Sequence, residues 1–577
     1  MSEVQQNGVD PSLGLKKSFF WGLWVFFFAA AVIVPGATYR KLWNSEGRWA
    51  NISRNMLRSG NYFEARINGQ ARYTKPLLSY WMIVISAKAL GGLNEFSLRL
   101  PFLLTGLLGV VLAYLFGCLL FDTFTGVLAS LILATSYGWN FYSRVIQADT
   151  PTVFGISLAL FSFYLGYRYR RKLPFFFFWI MAALSCHLKG LQGFAIPVGV
   201  AVSFVWLEHY CSLSQMPTSS KIWLSCKNTL RFFGKPVHIT GGIAGVFLYL
   251  LPYFFYPAGV STGLWFVYRE NILRFLQPFD HRGNMFTYAK ALPVLFAPWV
   301  VFLIFGCIKV RGRIFHTPSL RFVMVWIVVT FLLFQSSGSK RSYYILPILI
   351  PLALLTGYLW GRIWKESLTC LEHWLALLPP AILWLGGVLL LSRCFDFLPH
   401  PKLLSLLLFC GGIGVYLFHK KSLKYSTIFQ TYLALTIGFY VFFWGVFGRS
   451  IENYRPLSVF YRGIQKELAL PPHPALALYK AKAPEIHLFY LDPQIPAPYY
   501  HHSTDALQFL SGDKPKFLFT PLPHFWKFAQ LASQHHQTLY WYLPASYRFT
   551  PFQTKTFRKF LVLLSNSPLP LKDSSKQ

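Results

Sequence analysis

The chain has 577 residues, of which 54% are hydrophobic and only 13% are charged, and its mean hydropathy is +0.42. These values exclude an ordinary water-soluble globular protein and indicate a polytopic membrane protein. The formal net charge of +34 does not predict nucleic-acid binding, because the Lys and Arg residues stand in short clusters between apolar runs. Such clusters are typical of membrane topology and of contacts with anionic membrane lipids.

Apolar runs of the length that spans a bilayer, about 17–25 residues, recur along the chain. We predict thirteen spans, at residues 19–36, 98–120, 124–142, 152–167, 174–188, 190–207, 238–256, 291–308, 319–336, 343–361, 373–392, 402–418 and 427–447. The first run is too long for a cleaved signal peptide, so we expect it to remain as a span after a cytoplasmic tail at 1–18. The predicted fold class is therefore an α-helical membrane domain over 19–448.

The apolar stretch at 77–90 decides the topology. Its length of about 14 residues suits an interfacial helix better than a span. If it lies flat and the N-terminus is cytoplasmic, the basic loops all fall inside, as the positive-inside rule requires. These loops are residues 168–172, 221–235, 309–313, 362–365 and 419–424. The neighbouring segment 46–58 is predicted to be a second surface helix, with Ser45 or Asn44 as its N-cap.

This topology gathers polar segments on the outer face. In the segment 40–81, six of the cationic residues face only Glu46 and Glu64, so we expect a negatively charged ligand there. These six are Arg48, Arg54, Arg58, Arg66, Arg72 and Lys75. Other outer loops bring further polar side chains to the same face, where helix ends around a water-accessible cavity commonly form a site. They are Asp149, Lys189, Arg269, His281, Lys340 and Tyr344.

Residues 449–577 are less apolar and are predicted to form a separate outer-face domain. Strand-like runs at 516–520, 538–543 and 559–564 and a helix-like stretch at 524–534 indicate a small α/β unit with a disordered tail. Several histidines lie in this domain, but adjacent histidines point in different directions on regular structure. We therefore predict no metal site there.

Several segments in one order resemble a known family. Ser45-Glu46-Gly47-Arg48-Trp49-Ala50 and Tyr73-Thr74-Lys75-Pro76-Leu77 are followed by Asp149, by Lys189-Gly190 and by Ser339-Lys340-Arg341-Ser342-Tyr343-Tyr344. They resemble the lipid-dependent GT-C glycosyltransferases, especially the bacterial aminoarabinose transferases that modify lipid A, and also the protein O-mannosyltransferases. The resemblance covers about residues 19–450 and depends on ordered co-occurrence rather than on one motif.

The resemblance implies transfer of a sugar from a polyprenyl-phosphate donor to lipid A or another envelope acceptor, at the outer face of a bacterial inner membrane. The C-terminal domain would then be periplasmic. Protein O-glycosylation is the alternative within the enzyme class, and a non-catalytic relative that binds the lipid-linked sugar is the alternative outside it. A transporter is disfavoured, because the charged residues cluster at one face rather than at the midplane.

The resemblance implies that the sugar joins an acceptor hydroxyl or phosphate. The reaction needs cations for the leaving phosphate and, for a hydroxyl acceptor, a carboxylate that takes its proton. We predict Glu46 and Asp149 as catalytic carboxylates. Binding of the lipid phosphate and sugar is assigned to Arg48, Lys75, Lys189, Arg269, His281, Lys340 and Tyr344. Simpler roles compete: Glu46 could favour a helix N-terminus, Asp149 could be an N-cap, and Lys75, Lys340 and Tyr344 could be interfacial anchors.

Two departures from the family pattern affect the chemistry. Ser45 stands where the family has its first Asp, and Thr74 stands where the family has the Glu before the motif lysine. The family implicates these acids in catalysis and, for the Glu, in holding a metal near the lipid phosphate. We therefore predict no metal and no cofactor here.

Overall fold

The computed structural model describes most of the membrane domain and much of the C-terminal unit. The described residues are 11–43, 45–73, 75–277, 282–310, 317–367, 369, 424–448, 457–469, 473–481, 484–493, 495–542 and 561–568. Two predicted spans, 373–392 and 402–418, lie outside them, as does His281.

The first half of the membrane domain is a series of helices joined by short connections. In chain order they are α1 (Pro11–Ile33), α2 (Glu46–Ser59), α3 (Leu78–Ala89), α4 (Glu95–Leu120), α5 (Thr123–Thr135), α6 (Tyr137–Tyr142), α7 (Asp149–Tyr169), α8 (Lys172–Lys189) and α9 (Gln192–Ser212). A small hairpin, β1 (Arg66–Ile67) with β2 (Gln70–Ala71), stands between α2 and α3.

The second half continues with α10 (Thr218–Phe233), α11 (Pro236–Leu250), α12 (Val260–Val267), α13 (Arg274–Leu276), α14 (Thr287–Leu295), α15 (Val300–Lys309), α16 (Pro318–Ser336), α17 (Leu349–Ile363) and α18 (Tyr425–Tyr440). Turns of 3-10 helix cover Leu251–Phe255 and Ser342–Ile348, and π-helical turns cover Tyr268–Leu273 and Val441–Phe447. One large core of buried aromatic and aliphatic side chains holds most of these helices together.

Seven of the described helices are long and apolar enough to cross a membrane, or eight if the bent pair α14 and α15 forms one span. They are Glu95–Leu120, Asp149–Tyr169, Gln192–Ser212, Pro236–Phe255, Pro318–Ser336, Ser342–Ile363 and Tyr425–Gly445. The protein is thus a multi-span helical membrane protein, as the sequence predicts. The count of thirteen spans stays a prediction.

The helix α3 occupies the stretch that decides the predicted topology. Its 12 residues extend about 18 Å at 1.5 Å per residue, which is short of a hydrocarbon core of about 30 Å. Tyr80, Ile83 and Val84 are buried against the protein, whereas Ile85 is exposed. These features favour the interfacial position predicted for this helix.

The C-terminal unit is a small α/β fold, also as predicted. Its strands are β3 (Ala475–Tyr479), β4 (Tyr499–Tyr500), β5 (Lys516–Pro521), β6 (Tyr540–Tyr542) and β7 (Leu561–Ser565), and its helices are α19 (Leu457–Ala469), α20 (Pro484–Leu491), α21 (Ser503–Leu510) and α22 (Leu522–Gln534). The strand order is β4-β3-β5-β7-β6, with β3 parallel to β4 and β5, and β7 antiparallel to β5 and β6. Buried apolar clusters on both faces of the sheet form its core.

Helix α20 packs on α2 of the membrane domain. A Cβ added to Gly47 would lie 2.5 Å from the backbone nitrogen of Ile486, so only glycine permits this close approach. Asn51 donates to the Glu485 carbonyl, and Arg54 pairs with Asp492 at 2.8 Å. These contacts attach the C-terminal unit directly to the surface helix that follows the first span.

Candidate functional site

The candidate site lies where α7 begins and α8 ends. These helices are joined by two residues, so they run antiparallel and place Asp149, the first residue of α7, beside Lys189, the last residue of α8. The Lys189 Nζ donates a hydrogen bond to Asp149 Oδ1. The other carboxylate oxygen, Oδ2, is buried without a hydrogen-bond partner. Lys189 therefore fixes the carboxylate through Oδ1, and Oδ2 can accept a proton or a hydrogen bond from a ligand.

The turn after Lys189 is fixed by the loop that follows α12. Gly190 has φ +105°, a conformation that L side chains rarely adopt, and an added Cβ would lie 2.2 Å from Asn271 Oδ1. That same oxygen accepts a hydrogen bond from the Leu191 backbone N–H at 2.7 Å. The Lys-Gly pair seen in the sequence thus sets the path of the chain and docks the π-helical turn against the site.

Lys75 joins this group from the loop before α3. Its pKa is lowered to about 8, first by burial and then by the positive charges of Arg274 and Lys189, while Glu270 opposes the shift. Arg48 adds a smaller effect in the same direction. The site therefore collects four cations whose fields overlap, and an anion bound among them would restore the charged form of Lys75.

Arg48 approaches the cluster from α2. Its Nε atom is buried and has no hydrogen-bond partner. A buried donor without a partner is costly in a folded protein, and a phosphate oxygen would satisfy it. The predicted binding role of Arg48 fits this position.

Glu46 has a different environment from the one expected of a catalytic base. It is fully buried, and its oxygens accept hydrogen bonds from Arg40, from Arg99 and from the backbone N–H groups of Trp43 and Ile146, at 2.8, 2.9, 2.8 and 3.1 Å. Burial opposes ionisation, but Arg99 and Arg40 bring the pKa of Glu46 below its usual value. The carboxylate therefore ties α2 to α4 and to the loop before α7, which disfavours direct proton transfer.

The 3-10 turn after α16 supplies an aromatic wall. Lys189 Nζ lies 4.4 Å from the ring centroid of Tyr344 and 5.4 Å from that of Tyr343, distances at which cation–π attraction acts. Lys340 donates its Nζ hydrogen bond to the Ser337 carbonyl. Tyr344 is thus beside the Asp149–Lys189 pair, whereas the Lys340 ammonium is directed to its own loop.

The sequence predicts a binding role for Arg269, but the structure places Arg274 in the cation cluster instead. Arg269 is exposed, and Arg274 is largely buried, pairs with Glu270 at 2.8 Å and acts on Lys75. The acid–base pair at i and i+4 is the signal in the sequence that could have selected Arg274. His281 lies outside the described residues, so its predicted role stays a prediction.

Most arginines of the segment 40–81 do not face a ligand. Arg54 and Arg58 pair with Asp492, and Arg72 pairs with Glu485, all through acids of the C-terminal unit. Arg66 pairs with Glu64. The prediction that these arginines lack carboxylate partners is wrong, because Asp492 and Glu485, more than 400 positions away, supply them. Of the six cations named in the sequence analysis, Arg48 and Lys75 belong to the cation cluster.

The donor groups around the cation cluster decide whether a metal ion could bind there. Within the described part of the chain, no three His, Cys, Asp or Glu side chains form a group that could hold a metal. Glu270 acts on Lys75 but is engaged by Arg274. These residues do not fit a metal beside the cation cluster, and no step below depends on one.

Comparisons with known proteins identify relatives of this chain and solved structures that share its fold. Residues 74–225, which include Lys75, Asp149 and Lys189, match the family model described as dolichyl-phosphate-mannose-protein mannosyltransferase. An undecaprenyl phosphate-alpha-4-amino-4-deoxy-L-arabinose arabinosyl transferase of Pseudomonas fluorescens is 28% identical over 57% of this chain and 57% of its own length. An uncharacterized protein of Aquifex aeolicus is also 28% identical, over 55% of this chain and 60% of its length. The chain thus spans about 60% of the length of the curated relatives it matches.

The crystal structure of ArnT from Cupriavidus metallidurans bound to undecaprenyl phosphate superimposes with a TM-score of 0.66, covering 97% of this chain and 99% of that one at 18% identity. The apo structure of the same protein gives a TM-score of 0.64. The chain therefore has the fold of that protein, and its resemblance to the aminoarabinose transferases is confirmed.

Proposed function

We propose that the protein is a membrane glycosyltransferase that moves a sugar from a polyprenyl-phosphate carrier to an acceptor at the outer face. The observation that carries this proposal is the cation cluster around Lys75, which adjoins the Asp149–Lys189 pair where α7 begins and α8 ends. The fold shared with a protein that binds undecaprenyl phosphate supports the choice of donor.

In this mechanism, Lys75, Arg274 and Arg48 bind the lipid phosphate and stabilise the charge that develops on it as it leaves. An acceptor hydroxyl oxygen attacks the anomeric carbon, and the bond from that carbon to the phosphate oxygen breaks. The free Oδ2 of Asp149 takes the hydroxyl proton. Lys189 positions Asp149, and Tyr344 lines the pocket beside it.

The relatives and the basic loops indicate the acceptor and the membrane. Lipid A is the acceptor we favour, because the aminoarabinose transferase relatives align over more than half of this chain. A bacterial inner membrane, with the N-terminus cytoplasmic and the C-terminal domain periplasmic, agrees with the distribution of the basic loops. A protein acceptor is the alternative that the mannosyltransferase family match supports.

A non-catalytic lipid-binding relative is the second candidate function. Glu46 is occupied by four hydrogen-bonding groups, and Ser45 carries no acid. Only Asp149 then remains as a candidate base among the predicted catalytic residues. Its failure to act would leave a protein that binds the lipid-linked sugar without transferring it.

The test is sugar transfer by purified, lipid-reconstituted protein supplied with a labelled undecaprenyl-phosphate sugar and a pool of envelope lipids and peptides. We expect label in the lipid fraction, loss of donor binding in Lys75→Ala, and loss of transfer with retained donor binding in Asp149→Asn. Matched controls are Lys88→Ala, an exposed lysine at the end of α3, and Asp122→Asn, which keeps an N-cap acceptor for α5. Label in peptide would favour the protein acceptor. Donor binding without transfer by the unmodified protein would favour the non-catalytic function.

A further inference from the structure

A lipid-facing groove lies at the side of the membrane domain, beginning at the end away from the candidate site. Its volume is about 740 Å³, and α8, α9, α10 and α11 form its walls. The lining is almost entirely apolar and includes Trp179, Leu230, Phe233, Val246 and Leu250. It contains none of the residues assigned to sugar transfer.

The direction of the groove follows from helix contacts. The rings of Phe175 and His238, near the starts of α8 and α11, are 4.7 Å apart, and His187, near the end of α8, contacts the Leu248 carbonyl at 3.2 Å. The two helices are therefore parallel, and α10 lies at the end opposite Lys189. From His238 to Leu250 the groove follows α11 for about 18 Å at 1.5 Å per residue. That length is close to the hydrocarbon thickness of one leaflet, about 15 Å.

Helix α10 forms a basic rim at the His238 end of the groove. Its sequence, TSSKIWLSCKNTLRFF, contains Lys221, Lys227 and Arg231 and no acidic residue. Trp223 and Leu230 on the same helix are exposed by 63% and 75%. Exposed apolar side chains combined with cations are typical of a helix that lies at the membrane surface and attracts anionic lipid headgroups.

His238 adds a specific polar group inside the groove. It is 2% exposed, and its Nδ1 accepts a hydrogen bond from Trp179 Nε1 at 3.3 Å. In the neutral ring the proton is then on Nε2, and this atom is buried without a hydrogen-bond partner. A buried N–H donor needs an acceptor, and the ester carbonyl of an acyl lipid would supply one at the depth where headgroup and hydrocarbon meet.

We propose that this groove binds an anionic glycerophospholipid, with its headgroup on the cations of α10, its ester carbonyl on His238 and its acyl chain along α11. The ester carbonyl distinguishes a glycerophospholipid from a polyprenyl chain, because the hydrocarbon of a polyprenyl chain has no hydrogen-bond acceptor for the His238 N–H. The site is separate from the donor phosphate site at Lys75, and the proposal does not depend on sugar transfer.

The experiment is native mass spectrometry of the detergent-solubilised full chain, titrated with phosphatidylglycerol, phosphatidylcholine and undecaprenyl phosphate. A Cβ added to Gly242 meets open space, so Gly242→Phe fills the groove without a backbone clash. Gly438→Phe is the matched control, because Gly438 also lies in a candidate span with open space beside it. We expect Gly242→Phe alone to weaken phosphatidylglycerol binding by about tenfold.

Charge and hydrogen bonding are tested by two further variants. Changing Lys221, Lys227 and Arg231 to Gln should remove the preference for phosphatidylglycerol over phosphatidylcholine. Changing Arg168, Arg171 and Lys172 to Gln, three exposed residues where α7 ends and α8 begins, should not. His238→Phe should weaken both acyl lipids and leave undecaprenyl phosphate unaffected. Equal lipid retention in the two glycine variants, or a preference of the groove for undecaprenyl phosphate, would overturn the proposal.

Discussion

The pH dependence of donor binding tests the electrostatic account of the site. Lys75 has a pKa of about 8, lowered by burial and by Arg274 and Lys189. If its charged form is needed for the lipid phosphate, affinity follows the protonated fraction of Lys75 and is about tenfold weaker at pH 9 than at pH 7. The phosphate does not produce this change, because its second pKa of about 6 leaves its charge nearly constant over that range.

The assay is a binding titration with undecaprenyl phosphate at several pH values, for the unmodified protein and for Lys75→Arg. Arginine stays charged over this range, so the variant should lose most of the pH dependence even if its geometry weakens binding overall. Unfolding does not explain the effect, because a lysine whose folded pKa lies below its unfolded value makes the protein more stable as pH rises between the two. The same pH profile in both proteins would refute the role given to Lys75.

Three further predictions concern the architecture around the site. Glu46→Gln should lower stability by roughly 3 kcal/mol in a thermal unfolding assay, because it breaks a buried ion pair with Arg99, whereas Glu64→Gln should change it little, because its partner Arg66 is half exposed. Gly190→Ala should cost roughly 1–3 kcal/mol and reduce donor binding, since a Cβ strains the turn after Lys189, and Gly438→Ala should leave both unchanged. Arg54→Ala should accelerate hydrogen exchange in residues 484–493, because it removes an ion pair and two carbonyl contacts to that segment; unchanged exchange would show that the C-terminal unit is held by other contacts.

The sequence by itself determined the class of protein and predicted which polar segments lie near one another. Long apolar runs require helices in a bilayer, so composition alone predicts the helical membrane fold. The apolar stretch of α3 is too short to cross the bilayer, so its length predicts an interfacial helix. Asp149 and Lys189 could be placed together because two antiparallel helices joined by a short connection bring the start of one beside the end of the other. Strand-like apolar runs near the C-terminus predicted three strands of the small sheet, β5, β6 and β7, but not β3 or β4.

Only the tertiary structure decided which charged groups work together. Sequence distance hides the pairing of Arg54 and Arg58 with Asp492, and it hides the burial of Glu46 among donors from three separate segments. It also does not show that Arg274 rather than Arg269 acts on Lys75. The physical reason is that a charge's role depends on its desolvation and on its partners, and both are set by contacts between segments far apart in the chain.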